Sequence, residues 1–89
     1  MISHTNKNFW KLYRKLPQNI REVAKKQYRT FMDDPYHASL HFKCVHSSKP
    51  IYSARITKDY RVLGVLTDSV IVWFWIGTHT EYDKLLKMR

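Results

Sequence analysis

The chain has 89 residues, 44% of them hydrophobic and 15% aromatic, with sixteen Lys and Arg against seven Asp and Glu for a formal net charge of +9. That length and apolar content suit one domain over residues 1–89 with a core of its own, and they exclude both wholesale disorder and a second domain. The longest apolar run, Val70 to Ile76, falls far short of the roughly 20 residues a membrane-spanning helix needs, which excludes insertion into a bilayer.

The charge itself points to partners. A basic surplus of this size repels itself in a small domain and attracts phosphates or acidic proteins. The single cysteine, Cys44, has no partner for an internal disulfide, so a reducing cytoplasm is the expected compartment. Met1 to Lys7 lacks the apolar stretch of a signal peptide.

Along the chain, Phe9, Leu12, Tyr13 and Leu16 fall at i, i+3, i+4 and i+7, one face of a helix that Thr5 or Asn6 can cap. Pro17 ends that helix or opens the next at its first turn. The second helix is expected from about Pro17 to Asp34. Ile20, Val23, Ala24, Gln27, Tyr28 and Phe31 form its inner stripe, and Arg21, Lys25, Lys26 and Arg29 its outer side. Asp34-Pro35 stops it, because the residue before proline avoids the helical region.

After Pro35 the period changes to two. Leu40, Phe42 and Cys44 alternate with His41, Lys43 and Val45, and strands are expected there, around Tyr52 to Ile56, over Tyr60 to Leu66 and over Val70 to Ile76. The last is apolar on both faces and reads as a central strand buried on both sides. Glu81 to Met88 reads as a short closing helix, and Ile2 to Thr5 as a possible edge strand. Helices first and a meander afterwards predict an α+β fold, a helical hairpin packed on a small, mainly antiparallel sheet of three to four strands.

The residues with chemistry to offer cluster late in the chain. Arg55 and Arg61 flank the turn Thr57-Lys58-Asp59. A three-residue turn sets them opposite each other on one face, and a two-residue turn sends them to opposite faces. On one face they would bracket a phosphate with two planar forks; otherwise they are solvated strand residues. His79 follows the buried strand and Gly77-Thr78, and it is either a proton donor and acceptor near neutral pH or a surface cap. Tyr82 either offers its hydroxyl to a phosphate or packs the last helix on the sheet. Trp73 and Trp75 suit base stacking by type, but their strand argues for core packing. His4, His37, His41 and His46 show no metal-site spacing, so neither a metal nor another cofactor is expected.

The ordered set resembles the RelE/ParE superfamily of bacterial type II toxins: Leu16-Pro17 at the helical bend, Asp34 to Lys43, Ile51 to Ile56, Asp59 to Val65, then Trp73 to Leu86. Tyr60-Arg61 opening a strand and Gly77-Thr78-His79 ending one carry most of the likeness. The resemblance implies a βααβββ fold and a toxin, in the ribonuclease branch one that cuts messenger RNA on the ribosome. It places the catalytic basic residues at Arg61, Arg55 and His79, with Tyr82 earlier after the strand than the family's tyrosine. In a mechanism of that kind Lys43 and Lys58 would hold flanking phosphates as point charges. The resemblance also implies an acidic antitoxin as partner. The ParE branch, which poisons DNA gyrase, and a member that only binds its antitoxin are the other readings.

Overall fold

A computed structural model describes residues 1–87. Strand β1 (Ile2–Thr5) leads into helix α1 (Lys7–Tyr13), where Asn6 accepts a 2.9 Å bond from the Phe9 amide and so satisfies one of the orphan donors of the first turn. Helix α2 (Gln18–Asp33) starts at Pro17, whose carbonyl accepts from the amides of Ile20 and Arg21. The Arg21 guanidinium reaches back to the Leu16 carbonyl at 2.7 Å and holds the bend between the helices.

Strands β2 (Lys43–Cys44), β3 (Ile51–Thr57), β4 (Tyr60–Thr67) and β5 (Val70–Thr78) follow, and helix α3 (His79–Lys87) comes last. Met88, where the closing helix was expected to end, lies outside the described residues. The sheet has five strands in the order β1-β5-β4-β3-β2. Its neighbours are antiparallel except β1, which runs parallel to β5 from Ile2↔Val70 to Thr5↔Trp73. The α+β architecture is as expected. The sheet gains the Ile2–Thr5 strand, so it has five strands and is mixed.

One expected strand is largely replaced. The alternation from Leu40 to Val45 yields only the two residues of β2. Ala38–Leu40 instead forms a single 3-10 turn capped by the His37 ring, and His41 takes a left-handed conformation at φ 47°. Leu40 enters the core from that turn rather than from a strand, and it is 1% exposed.

The main core lies between α1, α2 and one sheet face. Phe31 meets Phe42 and Trp73 edge-on, with ring centroids 5.1 and 5.2 Å apart. Trp73 is buried, as core packing requires, and its indole nitrogen donates to Ser3. Its ring fits because residue 64 is glycine: a Cβ there would stand 2.7 Å from the indole and 2.9 Å from Ile71. A bulge beside this point, between the pairs Leu63↔Trp75 and Gly64↔Trp73, leaves Phe74 unmatched. Strand β5 is therefore not equally buried on its two faces. Ile71, Trp73 and Ile76 are in the core, while Val72, Phe74 and Trp75 are half-buried.

Candidate functional site

The opposite sheet face carries the polar residues. Ala54, Val62 and Ile76 form one cross-strand row in the main core. The pleat sends the next row, Arg55–Arg61–Gly77, to the other side. Lys43, Ser53, Leu63 and Trp75 make a further row on that same side, because Ser53 and Arg55 flank Ala54. Lys43, Arg55 and Arg61 thus share one face.

The turn between β3 and β4 resolves the register. It has two residues, Lys58 and Asp59, which by itself would put the arginines on opposite faces. A bulge between Arg55 and Thr57 adds one residue to β3 and restores the direct pair Arg55↔Arg61. Sequence reading weighed turn length alone; the bulge supplied the extra residue.

Arg61 is folded against its own hairpin. Its Nη1 donates to the carbonyls of Thr57 at 2.6 Å, Tyr60 at 3.0 Å and Lys58 at 3.3 Å. Its other guanidinium nitrogens make no hydrogen bond among the described residues. Partial burial, and then the neighbouring Arg55 charge, lower the Arg61 pKa from its ordinary value, while Tyr82, Asp83 and Asp59 act in the opposite sense. Two guanidinium groups held this close, with donors to spare, form a local excess of positive charge that an anion relieves.

Helix α3 brings up the other candidates. Thr78 and Glu81 form a capping box: the Thr78 hydroxyl accepts from the Glu81 amide, and the Glu81 carboxylate accepts from the Thr78 amide and hydroxyl. The His79 amide donates to the Asp59 carbonyl at 2.7 Å, which fastens the start of the helix to the β3–β4 turn. Lys58, Arg61 and His79 therefore meet at one corner. The His79 ring bonds Asp83 through Nδ1 at 3.0 Å and meets the Tyr82 ring edge-on at 5.6 Å.

Tyr82 is the least exposed of the candidates. It is 7% exposed, and its hydroxyl donates to Ser53, a buried serine, at 3.2 Å. The structure thus brings together Arg55, Arg61, Lys58, His79 and Tyr82, and sets Lys43 on the same face, on the strand next to that of Arg55. Asp83 and Ser53 were missed by sequence reading. Starting the helix at Glu81 hid the one-turn spacing of His79 and Asp83; the Thr78-x-x-Glu81 capping signature marks the true start.

A second feature lies on the helical side. Eight of the sixteen Lys and Arg fall between Lys7 and Arg29, with Glu22 the one acidic residue among them. Two of the eight, Lys25 and Arg29, edge a cleft of about 770 Å³ between the helices and the sheet, walled by Phe9, Trp10, Ala24, Tyr28 and Phe31. Trp10 and Tyr28 are exposed there. Among the described residues no group of His, Cys, Asp and Glu is arranged to hold a metal ion, and no helix is long and apolar enough to cross a membrane.

No curated protein matches the chain in sequence. Solved structures match it in fold. The RelE toxin in the RelB–RelE antitoxin–toxin complex of Methanococcus jannaschii has a TM-score of 0.74 at 16% identity, covering 92% of this chain and 96% of that one. YafQ from Escherichia coli gives 0.69 at 20% identity, covering 90% and 94%. The YoeB/ParE toxin of Agrobacterium tumefaciens gives 0.69 at 15% identity, covering 89% and 99%. The family model of the ParE-like toxin domain matches residues 18–84, which is most of the chain, from α2 through strands β2 to β5 to the tyrosine and aspartate of α3: this protein belongs to the ParE-like toxin domain family.

Proposed function

We propose that this toxin domain is an endoribonuclease that cuts messenger RNA on the ribosome and so arrests translation. The observation that carries the reading is the direct pairing of Arg55 with Arg61 on the face that also holds Lys43, with His79 fastened beside them. A paired guanidinium site with an imidazole at its edge suits phosphodiester cleavage by acid–base chemistry with side chains alone.

The reaction needs an RNA 2′-hydroxyl, which restricts it to RNA. The 2′ oxygen attacks the adjacent phosphorus as His79 Nε2 takes its proton. The bond from phosphorus to the 5′ oxygen breaks, leaving a 2′,3′-cyclic phosphate and a free 5′-hydroxyl. Arg55 and Arg61 stabilise the charge that builds on the phosphoryl oxygens. Solvent protonates the departing 5′ oxygen. Lys43 and Lys58 hold flanking phosphates as point charges. Tyr82 walls the site; its hydroxyl is committed to Ser53, so its role here is to hold α3, and with it His79, against the sheet.

The partner we assign is an acidic antitoxin. Two of the structural relatives named RelE come from complexes with RelB antitoxins, from Methanococcus jannaschii and Pyrococcus horikoshii. The apolar cleft with its cationic rim is matched to an acidic amphipathic segment.

The test is inducible expression in bacteria with mapping of RNA ends. Cuts inside translated codons, lost in Arg61→Ala and His79→Ala while both variants stay folded, support the reading. A double variant that still cuts removes both residues from the mechanism. The ParE-like name of the matching family model favours a second reading, a non-enzymatic gyrase poison. Loss of plasmid supercoiling by purified gyrase, with no RNA cleavage in a translating extract, would establish it instead.

A further inference from the structure

Three contacts hold His79. Its amide is bonded to the Asp59 carbonyl, its ring stands edge-on to Tyr82, and its Nδ1 is 3.0 Å from Asp83 Oδ2. The capping box of Thr78 and Glu81 fixes the helical turn that carries both partners. A ring nitrogen that donates to a carboxylate sets the tautomer and leaves the other nitrogen free for chemistry.

The side chains of His79 and Asp83 are 42% and 50% exposed. A contact this open adds little to stability, so its consequence is orientation. Asp83 and Tyr82, both from the helix of His79, meet the imidazole, and the same two groups act with Asp59 on Arg61. Asp83 is the group joined to His79 by a hydrogen bond and to Arg61 by charge.

We infer that Asp83 is a positioning residue for the ribonuclease site: it holds His79 as the Nδ1–H tautomer, so that Nε2 faces the phosphate bracketed by Arg55 and Arg61. This rests on the endoribonuclease reading above. Asp83 does not touch the substrate; it acts through the imidazole.

The experiment compares the parent chain with Asp83→Asn and Asp83→Glu. Cleavage is measured on a short single-stranded RNA or in a translating extract, and the His79 tautomer is read from its ring ¹⁵N shifts. Orienting partners of this kind typically contribute about 10- to 100-fold. Asp83→Asn should lower kcat by that factor with KM and melting temperature unchanged, and should mix or reverse the tautomer. Asp83→Glu should restore part of the rate. An Asn variant as fast as an active parent overturns the role of Asp83 alone. So does a neutral parent His79 whose proton sits on Nε2. A parent that cuts no RNA in either assay overturns the nuclease reading itself, and the ¹⁵N spectrum still reports whether the His79–Asp83 geometry holds.

Discussion

Removing the Tyr82 hydroxyl tests how α3 is attached to the sheet. Tyr82 and Ser53 are 7% and 2% exposed, and a 3.2 Å bond joins them across the face that carries the arginines. Replacing Tyr82 by Phe keeps the ring and deletes the donor. The bond contributes about 1 kcal/mol net, and a buried hydroxyl left without a partner costs about 1–3 kcal/mol. Tyr82→Phe should therefore lose about 1–3 kcal/mol, with the upper end reached only if no water replaces the phenol. In a domain of this size each kcal/mol moves the melting temperature by about 4–8 °C. The decisive measurement is the double-mutant cycle with Ser53→Ala, followed by thermal or urea unfolding. With the bond formed, the two changes are non-additive by at least about 0.5 kcal/mol, because the second finds no partner left to orphan. Effects that add to within about 0.3 kcal/mol, the behaviour of independent sites, would refute the claim that this bond anchors the helix. The same variant separates anchoring from chemistry: if Tyr82 acts by holding His79, Tyr82→Phe loses stability while retaining most of the cleavage rate.

Gly64→Ala should destabilise by about 1–3 kcal/mol, the usual cost of forcing a methyl into a packed core, because its Cβ meets Trp73 and Ile71 below 3.0 Å; a melting temperature equal to the parent's would contradict the packing. Arg61→Ala should slow RNA cleavage by roughly 10²-fold or more, the usual loss for a group that stabilises transition-state charge, and should lower the unfolding free energy by only about 1 kcal/mol through the lost bonds to the hairpin carbonyls. Lys43→Ala and Lys58→Ala should weaken RNA binding uniformly across sequences, each reducing the salt slope by about 0.7 on single strands; a salt-titration series with unchanged slope excludes them as phosphate contacts.

Much of this molecule is legible from residue order. Period 3.6 over Phe9 to Leu16 and over Ile20 to Phe31, then period two with turn residues between, specifies a helical hairpin followed by a meander, because each segment has one apolar face to bury. The basic surplus and the chemical types at Arg55, Arg61 and His79 are likewise visible without coordinates. Other features depend on long-range contacts. The strand Ile2–Thr5 exists because β5 offers it an edge. Leu40 reaches the core from a 3-10 turn, since an apolar residue at the right distance satisfies the core whether a strand or a turn delivers it. The shared face of Arg55 and Arg61 depends on a one-residue bulge, and a slip of one residue reverses every side chain of a strand. The meeting of Asp83, His79 and the β3–β4 turn depends on where α3 begins, which is decided by a capping box and by a carbonyl some twenty residues earlier in the chain. Local pattern determined the elements and the chemistry they carry; register, bulges and helix start, which only packing against the rest of the chain selects, decided which of those residues form one site.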